Sequence, residues 1–166
     1  MRVSLATGCG RTAWPGAVLL LTLCLSAWLV SHAAAQSLRH TSRARVELGG
    51  QTFVVDVVDT PALQARGLGG RTRLGPDEGM LFVYPDKERR TFWMRGMLIP
   101  IDILWLDNNR IIHIEHRVPP PAPGTPPRQL PTYAAPAPAN GVLEIAAGRA
   151  AALGVRVGDY ARMVFD

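Results

Sequence analysis

Cysteine is nearly absent from this chain. Its two copies, Cys9 and Cys24, lie near the start. The rest of the chain has no disulfide to draw on and must be held by its core alone. Lysine is scarcer still, with Lys87 the single example. The positive charge is carried by arginines interleaved with acids, so no basic patch forms and a nucleic-acid surface is not expected. Long apolar runs are missing too. Ala17 to Val30 is uncharged for fourteen residues, whereas a membrane-spanning helix needs about 20. There is no Gly-rich phosphate loop, no zinc-protease helix and no strand-to-helix serine elbow. A cofactor is not expected.

The beginning of the chain reads as a secretory signal. Arg2 and Arg11 precede the apolar stretch, and Ala33-Ala34-Ala35 supplies the small residues of a cleavage site. Cleavage is expected before Gln36, leaving no membrane span and a periplasmic or secreted product. An uncleaved anchor is the alternative. A lipoprotein at Cys24 is disfavoured, because Leu21-Thr22-Leu23 lacks the small residues expected just before such a cysteine. Residues 36–166 keep sixteen Lys+Arg against thirteen Asp+Glu, a net charge of +3. That length suits one domain with a real core.

Residues 36–44 are polar and read as a flexible leader, and 45–166 as a single β-rich domain. Strands are expected over 45–48 and 52–58 around Gly49-Gly50, a hairpin signal. Thr60-Pro61 opens a short helix that Gly67 stops. Residues 71–79 are turn-rich. Strands follow at 80–84, 91–94 and 101–106, and Asp107-Asn108-Asn109 turns the chain into a return strand at 110–116. Residues 117–141 hold nine of the fourteen prolines. They read as a solvated, extended loop, or alternatively as a flap carrying Tyr133. A strand at 142–145, an alanine-rich helix at 146–153 and a strand at 160–165 complete the chain. The pattern predicts a mainly β fold, an antiparallel β-sandwich or barrel-like domain with two short helices. A sheet with helices on one side is the alternative.

Several short pieces recur in a fixed order: Arg66-Gly67-Leu68 with Arg71, Gly79-Met80-Leu81-Phe82, Phe92-Trp93-Met94, Pro100-Ile101-Asp102-Ile103, and Val142-Leu143-Glu144 with Gly148 and Gly158-Asp159. Together they resemble the exported bacterial and archaeal domain of unknown function 192 family. The resemblance implies a compact, mostly β fold of sandwich type and no agreed activity. Two positions depart from the family pattern. Gly96-Met97 replaces the usual Asn-Thr, and Gly69 stands where methionine is usual.

Asp102 lies in the apolar run Ile101 to Leu106, on the face of Leu104 and Leu106. A buried carboxylate needs partners, and Arg66, Arg71 and Arg95 are the expected ones. Such a pair either ties the structure together or lines a pocket. Trp93 and Trp105 are core residues or ligand platforms. Met80, Met94 and Met97 with His113 and His116 raise a copper site, which the alternating strand faces of the two histidines disfavour. The expected role is binding of a small molecule or an envelope component at Arg66, Trp93, Met94, Arg95 and Asp102. A hydrolase acting on an envelope polymer through Asp102 and Glu144 is the rival. A purely structural domain is the third reading.

Overall fold

The computed structural model describes residues 42–165; the expected signal segment and most of the expected leader lie outside them. The first hairpin joins β1 (Ser42–Leu48) to β2 (Gln51–Val58). Gly49 and Gly50 connect them at φ 57° and 76°, a conformation that suits a two-residue hairpin turn. Residues 42–44, expected in the flexible leader, belong to β1 because they complete its ladder with β2. Helix α1 (Pro61–Arg66) follows. The Thr60 hydroxyl accepts from the Leu63 amide, and the Gly67 amide donates to the Leu63 carbonyl.

Next come β3 (Glu78–Glu88), β4 (Thr91–Trp93), β5 (Ile101–Asp107) and β6 (Arg110–Val118). Asn108 and Asn109 turn between β5 and β6 at φ 47° and 68°. Asparagine tolerates that left-handed backbone better than most residues. After β6, β7 (Thr132–Ala134) and β8 (Ala139–Ala146) lead to α2 (Arg149–Ala152) and β9 (Arg162–Phe165).

Seven strands form one sheet in the order β6-β5-β8-β3-β2-β1-β9, and β4 pairs with β7 in a separate ribbon. The large sheet curls into a half-barrel. Its outer edges are tied where the Ile111 amide donates to the Asp159 carbonyl and the Gly158 amide to the Ile111 carbonyl, both at 2.8 Å. The barrel-like expectation holds, with one change: β2 and β3 run parallel. Parallel neighbours need a crossover, and α1 with the turn-rich stretch after it supplies one.

Both faces of the central strands β3, β5 and β8 are covered, whereas β1 and β2 alternate buried with exposed residues. Inside the curl lie Val46, Phe53, Val55, Leu81, Leu104, Leu106, Leu143 and Ile145. On the outer face lie Leu68, Met80, Phe82, Met94, Ile103, Trp105 and Val142. This double cover explains the nearly continuous apolar run of β5, which buries Ile101 through Leu106.

The proline-rich stretch is not merely a solvated loop. Within it Pro127–Gln129 forms a 3-10 turn, Tyr133 pairs with Phe92 across the ribbon, and Ala135 and Ala139 are buried. β3 runs past Pro85, with a register irregularity between Val83 and Glu88, since proline has no amide to donate to a ladder. The alanine-rich helix spans only Arg149–Ala152.

Gly79, near the start of β3, has no room for a side chain. A Cβ there would sit 2.6 Å from the Glu144 carbonyl oxygen, whereas one at Gly141 meets nothing nearer than 3.5 Å. Gly79→Ala is therefore expected to cost about 2–3 kcal/mol, read as a lowered urea midpoint. Gly141→Ala should cost under about 1 kcal/mol.

Candidate functional site

Two acids lie buried in apolar strands, and they meet different fates. Asp102 is fully buried inside the curl. Among the described residues no arginine side chain bonds to it. Its Oδ1 accepts from the backbone amides of Arg117, at 2.7 Å, and Gly148, at 2.9 Å. Its Oδ2 accepts from the Ala150 amide at 2.9 Å. The three donors converge because Arg117 and Gly148 hold left-handed backbone, at φ 51° and 81°, and α2 starts at Arg149. The expectation of an arginine partner is thus corrected. Arg71 bonds Asp56 instead, and Arg66 and Arg95 lie at a pocket on the opposite face of the sheet. Backbone amides serve Asp102 well because they are already ordered and carry no side-chain entropy cost.

Glu144 sits on that opposite, outer face, across the ladders from Met80 and Ile103. It is buried, and its Oε2 has no hydrogen-bond partner among the described residues. Burial pushes its carboxyl up to about 8, with the Arg71 guanidinium pulling it back down. Glu144 is therefore mostly uncharged at neutral pH. Its influence reaches Tyr84, whose hydroxyl is raised first by burial, lowered by Arg90 and raised again by Glu144.

Glu144 lines a cavity of about 100 Å³. One wall is α1 and its C-terminal turn, with Arg66, Gly67 and Leu68; another is Phe92 and Trp93 of β4; Phe82 and Tyr84 of β3 lie beside Glu144. The Gln64 amide fastens α1 to β3 by donating to the Val83 carbonyl at 3.0 Å. Phe82 and Phe92 meet edge to face at 4.9 Å. Trp93 is 46% exposed, and the Arg95 guanidinium lies 5.4 Å from its ring centre, a cation–π contact.

The positions expected to bind thus divide. Arg66, Trp93 and Arg95 line one pocket, while Met94 is buried in the outer-face core and Asp102 lies across the sheet. Trp105 is fully buried, and its indole N–H donates to the Arg90 carbonyl at 3.0 Å. The hydrolase pair fails on geometry. Asp102 pairs with Ile145, the neighbour of Glu144, so the two carboxyls point to opposite faces and cannot flank one bond. Of the copper set, Met80, Met94 and Met97 pack in the outer-face core, and His113 Nε2 lies 3.0 Å from Glu115 Oε1. Sequence reasoning missed Tyr84 and Phe92 as pocket residues. It also weighed Glu144 only as a hydrolytic partner, although Leu143-Glu144-Ile145 carries the same signal as Ile101-Asp102-Ile103.

The family pattern described as "Uncharacterized ACR", DUF192, matches residues 44–163. The chain belongs to the DUF192 family. A protein of unknown function from Novosphingobium aromaticivorans DSM 12444 has a similar structure, with a TM-score of 0.63 and 34% identity over 72% of this chain and 83% of that one. A Sinorhizobium meliloti 1021 protein, provisionally described as a transcription regulator, gives a TM-score of 0.64 and 26% identity over 75% of this chain and 94% of its own. Comparison with curated proteins found no match. The two departures from the usual DUF192 pattern meet in space. The Gly70 amide donates to the Gly96 carbonyl at 2.9 Å, and a Cβ on Gly69 would lie 2.9 Å from the Arg66 carbonyl and 3.5 Å from that of Arg95. Glycine at 69 lets the α1 turn and the loop after β4 close together on the pocket.

Proposed function

We propose that this chain is an exported ligand-binding domain, taking a small molecule or an envelope component in the pocket between α1, β4 and Glu144. The unpartnered Glu144 oxygen carries this reading. A polar atom buried without a partner costs about 1–3 kcal/mol, and a fold retains one where something else completes it. The surrounding aromatic and arginine walls are the ordinary makings of a binding site. Export rests on the Arg2, Arg11 and Ala33-Ala34-Ala35 pattern. No helix among the described residues is long and apolar enough to cross a membrane.

The test is a thermal-shift screen against sugars, peptidoglycan fragments and metal ions. A ligand at a hundredfold excess over its Kd should stabilise the fold by about 2.7 kcal/mol. Trp93→Ala should abolish the shift while leaving the unliganded melting temperature nearly unchanged, because the ring is half exposed. An equal shift in the variant would move the ligand elsewhere. For export, the chain recovered from outside the cytoplasm should begin at Gln36.

A further inference from the structure

Arg66 and Arg95 line the pocket and pair with no carboxylate among the described residues. The α1 turn that carries Arg66 and the loop after β4 that carries Arg95 are joined by the Gly70–Gly96 bond. Arg95 is also oriented. A guanidinium held near an aromatic ring keeps donors available for a carboxylate or phosphate. Two unpaired guanidiniums at the same site call for an anion.

The interior calls for something else. At about 100 Å³ the cavity is smaller than ordinary small-molecule pockets and admits one small group. The group must satisfy the bare Glu144 oxygen. An anion could accept from the protonated acid but has nothing to donate to its other oxygen. An ammonium would require Glu144 to ionise in an apolar setting, against the direction in which burial has moved it. A hydroxyl both donates and accepts, so it suits the acid as it stands. The remainder of such a ligand lies outside the cavity, near Trp93, whose ring gives an apolar platform to a hydroxylated ring.

Resting on the binding reading above, we infer that the ligand is a sugar bearing an acid group, its carboxylate or phosphate on Arg66 and Arg95 and one hydroxyl on Glu144.

Titration calorimetry on the full chain at pH 6.5 tests this, with D-glucuronate, glucose 6-phosphate, D-glucose and L-alanine as probes. One of the two acidic sugars should bind at least about tenfold more tightly than D-glucose. Which of them does so tells carboxylate from phosphate. The double variant Arg66→Ala/Arg95→Ala should reduce that preference to nearly nothing, with its melting temperature confirming the fold. Equal binding of D-glucose, tighter binding of L-alanine, an undiminished preference in the double variant, or no binding by any probe would each overturn the inference. The broader binding reading fails separately. It falls if acidic sugars bind but Trp93→Ala leaves their affinity unchanged, and it survives if D-glucose binds equally and Trp93→Ala removes that binding.

Discussion

Asp102→Ala is expected to lower the unfolding free energy by about 4 kcal/mol, a large share of the roughly 5–15 kcal/mol that holds an ordinary domain. The carboxylate satisfies the amides of Arg117, Gly148 and Ala150 at once. An unsatisfied buried amide costs about 1–3 kcal/mol, and water admitted to the new space recovers part of the total. Asp102→Asn separates hydrogen bonding from packing. It retains an acceptor for Arg117 and Gly148 but turns an NH₂ group toward the Ala150 N–H, setting donor against donor. Its loss should be smaller, about 2 kcal/mol. Urea denaturation followed by circular dichroism measures both. A cost under 1 kcal/mol for Asp102→Ala would mean that the amides find other partners.

The second large effect depends on pH. Glu144 is raised from 4.5 to about 8 in the folded chain, so the folded state keeps a proton that the unfolded state loses above about pH 4.5. Stability from this group is complete below pH 4.5, falls as pH rises and levels off above pH 8. The slope approaches 1.4 kcal/mol per pH unit. Glu144→Gln keeps the shape and removes the proton equilibrium. At pH 5 the variant and the parent chain should agree within about 1 kcal/mol. At pH 9 the variant should be more stable by about 4 kcal/mol, a gain in melting temperature on the order of 10 °C. A parallel pH profile for the two chains would show that Glu144 ionises freely in the fold.

Much of this arrangement was legible in the residues. Gly49-Gly50, Thr60-Pro61 and Asn108-Asn109 mark their turns and cap through local chemistry, which neighbouring residues decide. The apolar continuity of β5 signalled burial, and the alternation correctly placed Asp102 with Leu104 and Leu106. The partners of Asp102 were hidden because they are backbone amides, which every residue type provides. Their aim is set by the φ angles of Arg117 and Gly148, far away in sequence. The parallel pairing of β2 with β3 and the union of β4 with β7 were hidden for a related reason. Both depend on how distant segments meet, and the prolines around Tyr133 conceal a three-residue strand whose only partner is equally short. Arg66, Trp93 and Arg95 were identified individually. They were also expected at one binding surface, but with Asp102 as its acid; the carboxyl that lines their pocket is Glu144, which comes from β8.

The β4–β7 ribbon shares no ladder with the seven-stranded sheet. Glu144 belongs to that sheet, whereas Phe92 and Trp93 belong to the ribbon. This wall of the cavity is therefore held on the sheet by side-chain packing, such as Phe92 against Phe82 and Trp105, and not by ladder hydrogen bonds. For a ligand of the proposed kind, admission is expected to follow local loosening of this packing and not barrel unfolding. A substitution that destabilises the barrel through its inner core need not change how quickly the cavity fills.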